Sequence, residues 1–304
     1  MLQRAAQEYV SDPTPARPQS LHLTPMYTND VSALLTEHQI SAEAESLPLG
    51  IHFELDSLEV LNMSEETHYW SAVRRYLIRD IVRKYVHPPF EFLDIGCGNG
   101  SLLKSLEHAF PGSHATGVDG YLEALINARR RTKTATLVLQ DLAKETWQQF
   151  SRTYNVVTLL DVLEHLDDPK DVLRHVRGLL KPHGIVIVSV PAHMWLWSER
   201  DVFLGHRKRY TRATLQQLLQ ESGFTVRHTS HLFSYLALPA YFHRKILPTL
   251  LKTSGKNIEE RELKKIPFVN AAMTWLGCFE AFVSLVIGLP LGTSVYAVAE
   301  KSGA

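Results

Sequence analysis

Residues 91–120 read EFLDIGCGNGSLLKSLEHAFPGSHATGVDG. The apolar runs at 91–97 and 114–120 each predict a buried β-strand. Between them, SLLKSLEHAF carries apolar residues at three- and four-residue spacing, which is typical of a helix that packs against a sheet. A strand, a helix and a second strand in this order predict a right-handed crossover between two parallel strands.

The same alternation continues along the chain. Further buried strands are predicted for TLVLQD (136–141), YNVVTLLDV (154–162) and GIVIVSVP (184–191), with helices at YLEALINARRR and PKDVLRHVRGLL between them. These elements predict an α/β fold with a doubly wound, mostly parallel sheet. In such sheets, ligands bind at the carboxyl ends of the strands.

Three glycines follow the first strand directly. Gly96, Gly98 and Gly100 stand in GxGxG spacing ahead of a helix N-terminus. Glycine lets a ligand approach the backbone closely, and a helix N-terminus presents free N–H donors, so this turn is a candidate binding site. A dinucleotide-binding turn reads GxGxxG, which argues against a nicotinamide-dependent oxidoreductase. The glycines could also serve only to shape the bend between strand and helix.

Acidic residues end the next two predicted strands. Asp119 closes the second strand, where a carboxylate can accept from both hydroxyls of a ribose. Asp141 closes the third, where it can accept from the exocyclic amine of an adenine or cap a helix. Together with the glycine turn, these residues predict a nucleoside-containing ligand at one edge of the sheet.

With these motifs, residues 60–300 resemble the class I S-adenosylmethionine-dependent methyltransferases. The resemblance rests on the glycine turn with Asp94 ahead of it, on the two strand-end acids, and on LLDVLEHLDDP (159–169) at the fourth strand. It implies a Rossmann-like, seven-stranded sheet with an antiparallel last strand and S-adenosylmethionine as the cofactor; no metal site is expected. The cofactor-binding residues that it implies are Tyr69, Trp70, Asp94, Gly96, Cys97, Gly98, Gly100, Asp119, Gly120, Asp141, Leu142, Leu160 and Asp161.

Two further segments are similar to bacterial members of the family, including relatives of ubiquinone-pathway O-methyltransferases. They are HYW (68–70) and PAHMWLWSERDVFLGHRKRYT (191–211). This likeness implies methyl transfer to oxygen on an amphiphilic or lipid-like small molecule. A soluble natural-product tailoring enzyme with an oxygen, nitrogen or carbon acceptor is the alternative, and a noncatalytic S-adenosylmethionine-binding scaffold is another.

Candidate catalytic bases follow the fourth and fifth strands. His165, His193 and His206 stand there, and an imidazole can accept a proton near neutral pH. Each histidine could instead cap a helix or hydrogen-bond its own loop. The candidate acceptor-binding residues lie in the loop after the fifth strand: Trp195, Trp197, Arg207, Arg209 and Tyr210. The basic residues among them could equally form a solvated part of the loop.

An apolar insertion separates the last two predicted strands, 225–233 and 293–300, which would form the antiparallel pair. Residues 266–299 contain a single charge, Glu280, and 269–289 approach the ~20 apolar residues that can cross a bilayer. A stripe of small residues there predicts packing against a helix at 232–251. We therefore expect a helical hairpin at 234–291 that contacts a membrane face, covers the sheet, or forms a dimer interface.

Composition sets the remaining expectations. The chain has 304 residues with 32 basic and 32 acidic, which gives no field for binding nucleic acid. Two cysteines exclude a disulfide framework and a zinc site. No apolar leader begins the sequence. We therefore expect a cytoplasmic location, either free or peripheral on the inner membrane face. Residues 1–60 carry two basic against nine acidic residues and predict a partly flexible extension ahead of a domain at 61–304. The oligomeric state is left open.

Overall fold

The computed structural model describes residues 36, 40–42, 68–142, 150, 153–246 and 267–302. Its strands are β1 (Ile40–Ala42), β2 (Glu91–Ile95), β3 (His114–Asp119), β4 (Thr136–Leu139), β5 (Tyr154–Leu160), β6 (Leu180–Pro191), β7 (Phe224–Leu232) and β8 (Ser294–Lys301). Its α-helices are α1 (Tyr69–Tyr85), α2 (Ser101–Ala109), α3 (Leu122–Arg131), α4 (Pro169–Leu179), α5 (Glu199–Phe203), α6 (Arg212–Glu221), α7 (Ala237–Tyr241) and α8 (Pro267–Val286). Short 3₁₀ turns lie at Leu163–His165, Met194–Leu196 and Ser234–Leu236, and a π-helical turn at Phe242–Ile246 follows α7.

The strands form one mixed sheet in the order β1-β4-β3-β2-β5-β6-β8-β7. All neighbours pair in parallel except β8, which is antiparallel to both β6 and β7. The predicted Rossmann-like sheet and its antiparallel last strand are therefore confirmed. The structure adds an eighth strand, because β1 pairs in parallel with β4 at the sheet edge.

Strand β1 belongs to the predicted acidic extension at 1–60. Ile40 is buried beside the sheet and pairs with Leu137. A strand of three residues has too few positions to show alternation or an apolar run, which is why the sequence pattern did not reveal it. The rest of that extension lies outside the described residues, apart from residue 36.

Helices cover both faces of the sheet. Helices α1, α2 and α3 contribute to one apolar core, and α4 and α6 to the other. In β6, Ile185 and Ile187 face the first core, while Val186 and Val188 face the second. This burial on both sides explains why the central strands read as continuous apolar runs rather than as alternating ones.

The small residues of α8 pack against α1 as well as against Tyr235 of the 232–251 segment, which the sequence analysis chose as their partner. Helix α8 runs along α1 and also contacts β7. A Cβ atom at Gly277 would collide with the side chain of Val73 and would lie 3.0 Å from the Tyr235 hydroxyl. The periodicity therefore identified the packed face of α8, but it held no information about which helix would meet that face. Residues 247–266, including the polar link of the hairpin, lie outside the described part of the chain.

Polar contacts fix α8 to the sheet and to the chain after β7. The hydroxyls of Tyr296 and Ser284 lie 2.8 Å apart, and His228 Nε2 donates to the Ser284 carbonyl oxygen at 2.8 Å. The Glu280 carboxylate accepts from the Ser234 backbone N–H at 3.0 and 2.9 Å. The one charge of this apolar helix thus faces inward, where it satisfies the start of a 3₁₀ turn.

Gly277 provides a test of the packing between α1 and α8. We expect Gly277→Ala to lower the free energy of unfolding by ~1–3 kcal/mol, because the added methyl group overpacks the contact with Val73. Gly178 in α4 is the matched control, since a Cβ there has no neighbour within 4 Å. Gly178→Ala is expected to stabilise by up to ~1 kcal/mol through helix propensity. Urea unfolding of both variants measures the difference, and equal stabilisation by both would contradict the close contact.

Candidate functional site

The glycine turn lies between β2 and α2, and its backbone requires glycine. Gly96, Gly98 and Gly100 have φ values of 75°, 52° and 75°, in the left-handed region that favours glycine. A Cβ at Gly96 would approach Val162 Cγ2 at 2.5 Å, and one at Gly100 would approach Ala128 Cβ at 2.8 Å. The glycines therefore shape the bend and also leave its backbone uncovered by side chains.

Asp119 fixes this turn to the end of β3. Its Oδ2 atom accepts from the Gly98 N–H at 2.8 Å, and its Oδ1 atom accepts from the Tyr121 N–H at 2.9 Å. Burial raises the pKa of Asp119, and the N–H donors of Gly98, Tyr121 and Gly120 oppose that shift. A carboxylate has about four acceptor positions, so these three donors leave capacity with which Asp119 can receive a ribose hydroxyl.

The other predicted cofactor residues lie at the same edge, because β4, β3, β2 and β5 are neighbours in the sheet. Asp94 is buried in β2 and accepts from Thr158 Oγ1 at 2.6 Å, which ties β2 to β5. Cys97 is buried, its Sγ atom packs beside Gly117, and its backbone N–H donates to the Val118 carbonyl at 2.9 Å. The remaining ones follow their strands or end them: Gly120 after β3, Asp141 and Leu142 after β4, and Leu160 and Asp161 at the end of β5.

Helix α1 contacts this edge through two arginines that the sequence analysis did not select. Arg74 forms an ion pair with Asp161 at 2.5 Å, and Arg75 donates to the hydroxyl of Ser101, the first residue of α2, at 2.6 Å. Asp161 has a φ of 56°, which is unusual for a residue other than glycine and often marks a functional position.

Tyr69 and Trp70 lie at the start of α1, against the insertion. The Trp70 ring stacks on Phe233 with centroids 4.0 Å apart, and the Tyr69 N–H donates to Asn270 Oδ1 at 2.8 Å. Both side chains are half-buried and pack on the core. The two aromatic residues are therefore part of the core, and they lie where α1 meets the insertion.

The loop between β6 and α6 is built around a buried ion pair. Arg209 donates to both carboxylate oxygens of Asp201, at 2.7 and 3.0 Å, and to the Ala192 carbonyl at 3.0 Å. Tyr210 is also buried, and its hydroxyl donates to the Leu163 carbonyl at 3.2 Å. The structure thus corrects the expectation that Arg209 and Tyr210 offer side chains to an acceptor, because both are used inside the loop.

The other predicted acceptor residues are more accessible. Trp195 is exposed, Trp197 is half-buried, and Arg207 is exposed and paired with Asp167 at 2.9 Å. The Arg207 backbone N–H also donates to the Glu164 carbonyl at 2.7 Å. This backbone contact and the Tyr210 hydroxyl attach the loop to the 3₁₀ turn that follows β5.

Two of the three predicted bases lie together. The rings of His165 and His206 have centroids 4.9 Å apart. His206 Nδ1 lies 2.8 Å from Asp201 Oδ1, so Nδ1 carries the donated proton and Nε2 is left as a proton acceptor. Burial, and then the neighbouring His206, lower the pKa of His165, which keeps its imidazole neutral near pH 7.

His193 lies apart from these two, in a stack with His231. Their ring centroids are 4.8 Å apart, and the Trp195 ring also stacks on His193, with centroids 5.4 Å apart. Burial lowers the pKa of both His193 and His231. His231 Nδ1 donates to the Leu289 carbonyl at 2.9 Å, so its buried Nε2 atom keeps a free lone pair without a protein partner.

Glu164 and His231 are the main residues that sequence reasoning missed. Glu164 is fully buried, and neither carboxylate oxygen has a hydrogen-bond partner. Burial and then the charge of Asp161 raise the pKa of Glu164 well above its usual range. A signal was present for Glu164, since it precedes His165 in the quoted strand-end segment. For His231 none was, because its position within β7 looks like that of any strand residue.

One group among the residues that the structure describes has donors suited to a cation. The ligand atoms of Glu164, His165 and His206 all lie within 4.8 Å of one another. One carboxylate and two imidazoles are donors that divalent metals accept. The sequence analysis expected no metal because it searched for cysteine spacing, and His206 is distant in sequence from the adjacent Glu164 and His165.

Asp119 gives a direct test of the cofactor edge. We expect Asp119→Ala to weaken S-adenosylhomocysteine binding by ~1–3 kcal/mol, because it removes a charged acceptor of ribose hydroxyls and releases the Gly98 N–H. Calorimetry measures the change. Asp171→Ala, an exposed acid in the first turn of α4, is the control and should leave the affinity unchanged. Equal affinities for wild type and Asp119→Ala would remove this residue from the site.

Asp201 tests the buried ion pair. We expect Asp201→Asn to lower the free energy of unfolding by ~3–5 kcal/mol at pH 7, because Arg209 then remains buried without a carboxylate. Asp167→Asn, in the exposed pair with Arg207, should change it by less than ~1 kcal/mol. Urea unfolding distinguishes the two.

The pH dependence of the same variant has a defined sign. Burial alone would raise the pKa of Asp201, but hydrogen bonds from His206 and Arg209 hold it well below its usual range. A carboxylate whose pKa is depressed in the folded state contributes its full stabilisation above the unfolded pKa of about 3.9. That contribution is lost as the pH falls towards the folded pKa. The difference in the free energy of unfolding between wild type and Asp201→Asn should therefore become smaller only below about pH 4. A gap that narrows between pH 7 and pH 5 would contradict this account.

Comparison with known proteins agrees with this geometry. The chain is 33% identical over 154 residues to a ubiquinone biosynthesis O-methyltransferase of Aeromonas salmonicida, covering 45% of this chain and 64% of the relative. It is 38% identical over 100 residues to the Vibrio parahaemolyticus protein of the same name, covering 32% and 42%. The chain thus spans less than two thirds of the length of either relative.

Solved structures share the fold. A chain of the complex between the Haloferax volcanii Trm112 methyltransferase activator and a putative methyltransferase matches with a TM-score of 0.54 at 17% identity, covering 83% of this chain and 97% of that one. The plantazolicin methyltransferase BpumL, solved in complex with a monoazolic desmethylPZN analog and SAH, matches with a TM-score of 0.54 at 14% identity, covering 91% of this chain and 100% of that one.

A family model described as a methyltransferase domain matches residues 69–229, from the start of α1 into β7. This range contains the glycine turn, Asp119, Asp161 and the loop built around Asp201. The chain therefore belongs to the class I S-adenosylmethionine-dependent methyltransferases, a family of enzymes.

Proposed function

We propose that this enzyme transfers the methyl group of S-adenosylmethionine to an oxygen of an amphiphilic or lipid-like small molecule. The likeness to ubiquinone biosynthesis O-methyltransferases supports an oxygen acceptor. In this proposal the enzyme is cytoplasmic, does not bind nucleic acid, and meets its acceptor at the inner face of the membrane through residues 234–291.

We call the loop between β6 and α6, residues 192–211, the acceptor loop. The observation that carries the proposal is the contact between the acceptor loop and the apolar insertion at 234–291. Trp195 and Tyr241 meet edge to face with ring centroids 5.5 Å apart, and α7 packs beside the 3₁₀ turn at Met194–Leu196. Met194 and Trp195 are both exposed. An acceptor that reaches this loop therefore meets apolar side chains of the insertion, and the histidines and Glu164 lie on the inner side of the same loop.

The histidines of this loop suit methyl transfer to a hydroxyl. The sulfonium is already an activated leaving group, so the reaction needs an oxygen nucleophile held in line with the methyl group and a base for its proton. His206 is prepared for this by Asp201, which fixes the proton on Nδ1 and leaves Nε2 free to accept one. His193, whose buried Nε2 atom has no protein partner, is the second candidate base.

The main alternative is a soluble natural-product tailoring enzyme with an oxygen, nitrogen or carbon acceptor. The exposed apolar residues of α8 favour it if they form a protein interface, since such a surface needs some partner. A noncatalytic S-adenosylmethionine-binding scaffold is the second alternative. It would keep the glycine turn and Asp119 but would turn over no acceptor.

Comparative profiling of metabolites and lipids tests the function. A strain that lacks the protein should lose a lipid-extractable species and accumulate a precursor lighter by one methylene, and wild-type protein should restore the methylated species. His206→Ala and His193→Ala should restore it ~10²- to 10⁴-fold more slowly, because each removes a candidate base. Both variants should keep wild-type affinity for S-adenosylhomocysteine.

The other outcomes separate the alternatives. A methylated species in the polar fraction would favour the tailoring enzyme, and no mass difference in any fraction would favour the scaffold. Full turnover by both histidine variants would show that neither imidazole acts as the base.

A further inference from the structure

We propose that the outward face of α8, with the exposed apolar residues that follow β7, docks on the surface of an anionic lipid bilayer so that α8 lies in the membrane plane. This inference deepens the proposed function, on which it rests for the location of the acceptor loop. We call this surface the membrane face. Its exposed large side chains are Leu238, Tyr241, Phe242, Phe268, Val269, Trp275, Leu276, Phe279, Phe282, Val286 and Ile287.

The exposed residues of α8 form one continuous stripe. Phe268, Trp275, Phe279, Phe282 and Val286 recur at helical spacing on the outer side, where Trp275 is 73% exposed and Phe279 is 57% exposed. The rings of Trp275 and Phe279 stack with centroids 6.2 Å apart. A stripe of large apolar side chains along a whole helix marks a surface that binds a partner.

The polar residues of α8 and its central glycine are used on its inner side. Asn270 accepts from the Tyr69 N–H, Gly277 lies against Val73, and Ser284 bonds to Tyr296. Glu280, the only charge of the helix, accepts from the Ser234 N–H. The outer stripe is consequently free of charge, which is the distribution of a helix with one face in an apolar layer.

These inner contacts also decide the orientation. By length and composition alone, Phe268–Val286 is long and apolar enough to cross a membrane, with 17% of its most apolar window buried. Yet Asn270, Gly277 and Ser284 hold its beginning, middle and end against the domain. Because the helix lies along the protein over its whole length, it contacts a bilayer with its side and not with its end.

Charge selects an anionic surface. The sequence from 228 to 266 contains Arg244, Lys245, Lys252, Lys256, Arg261, Lys264 and Lys265 against Glu259, Glu260 and Glu262, a net charge of +4. The part from 247 to 266 joins the two helical pieces of the membrane face along the chain. Basic residues beside an inserted apolar face add attraction to an anionic leaflet.

The membrane face is continuous with the acceptor loop, which favours a bilayer over a second copy of the chain. Tyr235, at the start of the segment, donates to the Met273 carbonyl of α8 at 3.4 Å. At its other end, Tyr241 contacts Trp195 of the acceptor loop. A bilayer on this face brings dissolved lipid-like acceptors to the loop, whereas a dimer would cover the approach.

Sedimentation with vesicles tests the inference without any acceptor or turnover. We expect wild-type protein to pellet with vesicles of phosphatidylcholine and phosphatidylglycerol, and to pellet less with phosphatidylcholine alone. Phe279→Asp with Phe282→Asp should lower the partition coefficient by about a hundred-fold or more, because two rings that insert into the bilayer are replaced by charges that the anionic surface repels. Phe279→Leu with Phe282→Leu should retain binding.

A second double variant controls for added charge. Ala213→Asp with Gln220→Asp places two acids on the exposed side of α6 and should bind vesicles nearly as well as wild type. All variants should keep wild-type affinity for S-adenosylhomocysteine, which shows that they fold and that cofactor binding is separate. Wild-type protein that stays in the supernatant with anionic vesicles overturns the inference. So does a lipid-free dimer that Phe279→Asp with Phe282→Asp dissociates, which would identify a second copy as the partner.

Discussion

The central position of β2 determines the arrangement of the site. It pairs in parallel with β3 on one side and with β5 on the other, so the carboxyl ends of all three strands meet at one edge. The glycine turn leaves β2 at this edge, and Asp119 at the end of β3 holds it through Gly98. Asp94 adds a buried bond to Thr158 of β5. A change in this pairing would displace the glycine turn, the ribose acid and Asp161 together.

A second constraint acts on the acceptor side, where a long loop with only the short helix α5 and a 3₁₀ turn must hold its shape. The buried pair of Asp201 and Arg209 supplies it, since each charge removed from water here is compensated by several hydrogen bonds. The same carboxylate fixes the tautomer of His206. The stability of the loop and the chemistry of its histidine therefore depend on one side chain, which links any substitution at Asp201 to both.

Much of the fold could be predicted from sequence because its information is local. The apolar runs identified the central strands, and the glycine spacing identified the turn after β2. Strand β1 could not be predicted, since three residues carry no pattern. The contact between the small residues of α8 and α1 could not be predicted either, because a helical wheel reports a face and not its neighbour. In the site, Glu164 and His231 matter through contacts made by other parts of the chain, and the burial of Arg209 depends on Asp201 in the same way.

The position of β8 has a consequence for how the chain is made. Strand β7 pairs only with β8 in the described sheet, and β8 separates it from β6. While the ribosome is still adding the insertion, β7 has no strand beside it, and the contacts of α8 with Tyr296 do not yet exist. The cofactor edge from β2 to β6 is complete in sequence before that point. Biosynthesis thus has two phases: nascent β2 to β6 can assemble first, with α8 then able to pack on α1, and β7 remains an unpaired strand that chaperones can bind until synthesis of β8 closes the sheet.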